Sequence, residues 1–184
     1  MAGGWRDGHE WNSVKKFLPR EAADAPVFRA RGSKDEVVRQ AAEFLRKNPV
    51  VQDRKGRIVF LPNGQTRGGY SDPVMNRAEH VIGTDSKPGA HDRNPQSDKI
   101  QWLAAVPDTI SHAPVRVHEG SEVIYFRNYR NKTHQVVTTK EGVFVDQQAY
   151  DSGLVTQYPL ELSKKQFKGA SKVELLPPPS AALE

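Results

Sequence analysis

The sequence predicts an α+β fold, with two helices packed on an antiparallel four- to five-stranded β-meander and a helical N-terminal extension before them. Three observations predict it. A capping box opens a helical apolar pattern after Ser33, two shorter segments with an apolar face lie at 74–82 and 97–107, and from Pro114 onward apolar residues recur every second position.

Residues 1–31 show no sustained period, with Trp5, Trp11 and Phe17 as isolated anchors, and read as an arm. Ser33-Lys34-Asp35-Glu36 is a capping box, and Val37, Ala41, Phe44 and Leu45 then share a helical face until Asn48-Pro49 ends it. Residues 57–61 (RIVFL) form a short strand closed by Pro62-Asn63-Gly64. Asp72-Pro73 opens a short helix at 74–82, with Met75, Ala78, Val81 and Ile82 on one face. Residues 84–96 are polar, hold two prolines and a glycine, and read as an exposed loop. Ser97 caps the next helix, which buries Ile100, Leu103 and Ala104 and stops at Pro107.

In the meander, Val115 and Val117 alternate with Arg116 and His118. The runs 123–127 and 133–139 form a hairpin across a polar turn, 143–145 follows a second turn, and 154–158 is the last strand. Residues 1–71 are therefore an arm and extension with one helix (33–47) and one strand (57–61), and residues 72–160 are the α+β domain. Residues 161–184 are a C-terminal tail with helical character at 162–167.

Composition narrows the chemistry. The 184 residues contain no cysteine, which excludes disulfides, thiolate metal sites and a cysteine nucleophile. No apolar run reaches the roughly 18 residues of a membrane span and no signal peptide opens the chain, so a cytoplasmic location without membrane contact is expected. The formal charge of +5 suggests an anionic partner. Residues 72–160 nevertheless carry nine Lys and Arg against eleven Asp and Glu. The cations there concentrate in one hairpin, where Arg127, Arg130, Lys132 and Lys140 surround His134 with no acid before Glu141.

There is no phosphate-binding glycine loop, no His-Glu-x-x-His helix and no Gly-x-Ser-x-Gly elbow. His91-Asp92, His112 and His118 match no compact metal-ligand spacing. Neither a metal nor another cofactor is expected.

The order of a helix with Arg77-Ala78-Glu79-His80-Val81, a second helix with Trp102, and strands with Tyr125-Phe126-Arg127, His134-Gln135-Val136-Val137 and Val155-Thr156-Gln157-Tyr158 resembles the barnase, EndoU, colicin E5/D and RelE-like (BECR-fold) nuclease superfamily, in particular its phage-borne branch. The resemblance covers about half the chain and lies in order and placement. It implies a metal-independent endoribonuclease, a phage or mobile-element toxin domain, that cleaves RNA through the neighbouring 2′-hydroxyl. RNA is then the partner, with an immunity or antitoxin protein as a second. The resemblance assigns His80 to proton transfer, Arg127 and Lys132 to the phosphate and Thr156 to a hydrogen bond in the catalytic set, with Arg130, His134, Lys140 and Tyr158 binding substrate. It supplies no obvious counterpart to a barnase-type glutamate base, unless Glu119, Glu122 or Asp146 serves.

Plainer readings stand beside these roles. His80 near a helix C-terminus is also favourable on dipole grounds. Thr156 is a good strand former, and Tyr125, Phe126 and Trp102 suit a core. The same cationic hairpin also fits a non-catalytic nucleic-acid-binding or phage structural module.

Overall fold

The computed structural model describes residues 23–85, 96–130, 132–151 and 170–178. Among them the chain is α+β, with three helical segments, a five-stranded antiparallel sheet and a separate two-stranded one.

Helix α1 (Lys34–Lys47) begins where the capping box requires. Ser33 Oγ accepts from the Glu36 N–H and the Glu36 carboxylate accepts from the Ser33 N–H, each at 3.2 Å. It buries Val38, Ala41, Ala42 and Leu45, with Val37 and Phe44 partly buried beside them. After Pro49, β1 (Val50–Gln52) pairs antiparallel with β2 (Ile58–Phe60). The strand expected at 57–61 is therefore one half of a hairpin whose first half is too short to stand out in the sequence. Helix α2 (Pro73–Val81) is capped by Asp72, which accepts from Val74 N–H at 3.0 Å, and starts on its proline, where no backbone donor is required.

The next helical segment does not stop at Pro107. Helix α3 (Gln96–Gln101) passes through a 3₁₀ turn (Trp102–Ala104) into α4 (Ala105–His112). The 3₁₀ turn restarts the helix, so Pro107 falls in a first turn whose N–H groups have no intrahelical partner. Strands β3 (Val115–Glu119), β4 (Glu122–Asn128), β5 (Lys132–Thr139) and β6 (Phe144–Asp151) then form the meander. A fifth strand, β7 (Ala170–Leu175), pairs antiparallel with β3, giving the order β6-β5-β4-β3-β7. The strand expected at 154–158 and the helical character at 162–167 lie outside the described residues, whereas the segment read as a tail contributes β7.

Helix α4 lies on β4 and β5, α2 and α3 lie on β6, and α1 lies on α2. Sheet residues Val123, Tyr125, Val136 and Phe144 form one core with the buried faces of α1, α2 and α4 and with Val59 and Leu61. The extension therefore belongs to the same core as the domain at 72–160. The turn at Gly142 ties the hairpin to the sheet: Phe60 N–H donates to Gly142 O at 2.7 Å. Gly142 has φ +89°, and a Cβ there would stand 2.6 Å from Ile58 O, so glycine is required.

At the β7 end, the sheet meets the hairpin through buried charge. Arg116 on β3 donates to both Glu174 oxygens, at 2.9 and 3.1 Å, and also to Asp53 of the β1–β2 turn. Tyr125 OH donates to Asp53 at 2.7 Å and accepts from Arg57 at 2.8 Å. Lys55 reaches Glu174 at 2.9 Å and His118 also contacts it. Burial and the bond to Asp53 push the Tyr125 phenol up to about 12. Burial favours a neutral Glu174, but Arg116, Lys55 and His118 outweigh it and hold the carboxyl well below its usual range. Arg116→Met would leave Asp53 and Glu174 buried without their shared cation and is expected to cost about 3–5 kcal/mol in chemical denaturation. A loss below about 1 kcal/mol, the scale of an exposed pair, would contradict this account of the junction.

Candidate active site

Helix α2 carries two neighbouring ionisable residues, Glu79 and His80, into a cavity of about 510 Å³ shared with Lys34, Arg67, Gly68 and Asp85. The loop that supplies Arg67 and Gly68 is pinned to α2 by one buried amide. Asn76 Nδ2 donates to Gln65 O (3.1 Å) and Tyr70 O (2.9 Å), and its Oδ1 accepts from Tyr70 N–H at 2.9 Å. Gly68 has φ +146°, and a Cβ there would stand 2.3 Å from Asn76 Oδ1. A side chain at this position would push the loop off the helix.

His80 sits between two carboxylates. Its Nδ1 is 2.9 Å from Asp85 and its Nε2 is 3.4 Å from Asp146. Lys99 reaches the other Asp146 oxygen at 3.1 Å, and Gln147 N–H donates to that oxygen at 2.8 Å. The hydrogen bond to Asp146, aided by its charge and by Asp85, raises His80 above the ordinary imidazole value of 6.5 against the pull of burial. Burial favours a neutral Asp146, but His80 and Lys99 outweigh it and lower its carboxyl. Glu79, only 7% exposed, faces Lys34 at 3.1 Å. The cavity thus combines an imidazole whose protonated form is favoured by its carboxylate neighbours, acceptor carboxylates and two cations.

The other expected site residues lie elsewhere. His134 on β5 has no exposed surface. Gln147 Nε2 donates to Val81 O (2.8 Å) and Lys99 O (2.9 Å), which leaves Gln147 Oε1 to accept from His134 Nε2 at 2.7 Å. His134 Nδ1 then accepts from Thr109 Oγ1 at 2.6 Å. Burial drives this imidazole down to about 4, so it is neutral at pH 7. The expectation that His134 touches substrate is corrected: helix α4 covers its face of the sheet.

Arg127 is nearly buried, donates to Asp108 at 2.5 Å and lies 4.7 Å over the Tyr129 ring. Tyr129 OH also reaches Asp108, at 2.8 Å. Arg130 and Lys132 line a second cavity of about 490 Å³, beside Trp102 and Tyr129. Lys140 lies in the turn after β5, its N–H bonded to Ser121 O at 3.0 Å. Thr156 and Tyr158 lie outside the described residues. His80 is therefore not joined by Arg127, Lys132 or His134. Its companions are Asp85, Asp146, Lys99, Glu79, Lys34 and Arg67, of which the sequence raised Asp146 alone as a candidate carboxylate.

Among the described residues, no group of three or more His, Asp or Glu side chains is arranged to hold a metal ion. His112 pairs with Asp108 and His118 with Glu174, while His91 and Asp92 lie outside the described residues. No described helix is long and apolar enough to cross a membrane. No protein-family model, curated protein or solved structure matches the chain.

The raised value of His80 fixes the sign of its pH dependence. Its protonated form stabilises the fold fully below the ordinary value of 6.5, and that contribution fades as pH rises through the raised native value. NMR titration of the imidazole should give a midpoint above 6.5 that falls in Asp146→Asn. A midpoint at or below 6.5, or one that Asp146→Asn leaves unmoved, would break the pairing described for this site.

Proposed function

We propose that the protein is a metal-independent endoribonuclease of the kind carried as a toxin domain by phages and mobile elements, acting on RNA in a bacterial cytoplasm. The observation that carries this reading is His80, held between Asp85 and Asp146 in the wall of a cavity that also presents Lys34 and Arg67. The resemblance in element order supports it, because the helical histidine is the residue that the nuclease superfamily implies for proton transfer.

In this reading the RNA 2′-hydroxyl attacks the adjacent phosphorus while its proton passes to a cavity carboxylate, Asp85 or Glu79. The bond from phosphorus to the 5′-oxygen breaks, a 2′,3′-cyclic phosphate forms, and protonated His80 delivers its proton to the leaving oxygen. Lys34 and Arg67 balance the charge that gathers on the phosphoryl oxygens. Asp146 and Lys99 act through His80, keeping it charged and oriented.

A second reading, a non-catalytic nucleic-acid-binding or phage structural module, draws support from the Trp102, Arg130 and Lys132 cavity. That cavity places the Trp102 ring beside two cations, Arg130 and Lys132, away from His80.

Full-length protein incubated with RNA in excess chelator should yield cyclic-phosphate ends, and His80→Ala should slow cleavage by about 10²–10⁴-fold. Binding without cleavage would favour the second reading, and a rate unchanged in His80→Ala would end the first.

A further inference from the structure

The second cavity is built from three separate pieces of chain. Residues 24–27 line its rim, and the segment is tied at both ends: Arg130 N–H donates to Ala23 O at 3.0 Å, and Phe28 N–H donates to Gln101 O at 2.8 Å. Trp102, on the 3₁₀ turn between α3 and α4, supplies an aromatic wall. Its ring is held by Tyr129 at 5.4 Å, edge-on, and by the buried His134 at 5.0 Å. The turn between β4 and β5 brings Arg130 and Lys132 to the same space, closed by a 2.7 Å bond from Tyr129 N–H to Lys132 O.

The lining suits a ligand that is planar at one end and anionic at the other. A half-buried indole with a fixed orientation offers a π-face at little entropic cost, and any base can stack on it. Two cations beside it match a phosphate. The cavity already contains an anion of this chain: the Asp24 carboxylate lies 2.9 Å from Arg130 Nε, with the two side chains 78% and 59% exposed. A pair so exposed is weak and readily exchanged for another anion.

We propose that this cavity is a nucleotide-binding subsite, taking a base against Trp102 and its phosphate on Arg130 and Lys132, with Asp24 as the chain's own competitor for that phosphate. The choice of a nucleotide rests on the RNA reading above, but binding here uses no group of the His80 cavity. In this reading Arg130 has the substrate-contact role expected of it, whereas Lys132, expected in the catalytic set, holds a phosphate at a position separate from His80. An RNA strand or a free nucleotide offers the same base and phosphate.

Isothermal titration of the full chain tests this with adenosine 5′-monophosphate, inorganic phosphate and a 2′-O-methyl RNA tetramer that cannot be cleaved through its 2′-oxygens. The monophosphate should bind about tenfold more tightly than inorganic phosphate. Trp102→Leu should weaken it by about tenfold. Arg130→Glu, a surface change that leaves the core intact, should weaken it comparably, and Asp24→Ala should tighten it about threefold. His80→Ala should leave binding unchanged. A tetramer that competes with the monophosphate identifies an RNA strand as the source, and monophosphate binding without competition identifies the free nucleotide. Monophosphate binding no tighter than phosphate, or unaffected in Arg130→Glu, overturns the subsite. Intact binding with no RNA cleavage instead removes the catalytic reading and leaves the subsite standing.

Discussion

Gln147 joins the sheet to two helical segments with a single buried side chain. On β6 it accepts from His134 of the neighbouring strand and donates to Val81 O at the end of α2 and to Lys99 O in α3. A buried polar group left without a partner costs about 1–3 kcal/mol. The amide therefore fixes where α2 ends relative to the sheet. Asp146 precedes it in the chain, and because α2 is fixed there, His80 stands within reach of Asp146 and Lys99. The His80 cavity thus depends on a residue that does not line it.

Two polar networks occupy the helix-side face of the same sheet. One joins Arg116, Glu174, Asp53, Tyr125 and Arg57 where β3 and β7 meet the hairpin. The other joins Asp108, Tyr129, Thr109, His134 and Gln147 under α4. Both place charged or titratable groups in the interior, where each must find a partner. Their consequence for function is negative: Arg127, through Asp108, and His134, through Thr109 and Gln147, are committed to the fold. Trp102 belongs to both worlds, with its ring packed on Tyr129 and His134 and also lining the second cavity.

The parts that were legible in the sequence have local causes. The capping box at Ser33 and the Asp72-Pro73 start mark α1 and α2 because a helix's first donors are satisfied by residues within three positions. The change of apolar period at Pro114 marks the meander because successive strand side chains point to opposite faces. His80 was legible as a helical histidine, and Asp146 as one carboxylate among three. Pro107 misled because its penalty depends on its place within a helix, and the 3₁₀ turn that resets that place has no clear signature. The cation-rich hairpin does not reveal that Arg127 is paired, because its partner Asp108 stands on α4, outside the hairpin itself.

What the sequence determined by itself was the class of fold, the two helix starts, the meander and the absence of cysteine chemistry, since each rests on residue type and short-range spacing. Tertiary structure alone decided that β7 closes the sheet beside β3, that β1 and β2 form a hairpin, and that His80 meets Asp85, Asp146 and Lys99 while Lys132 and Arg130 face a different cavity. Strand pairing and ion pairing are long-range choices, made by which groups burial forces together, and no local pattern around Asp53, Arg116 or Glu174 announces that those three must meet.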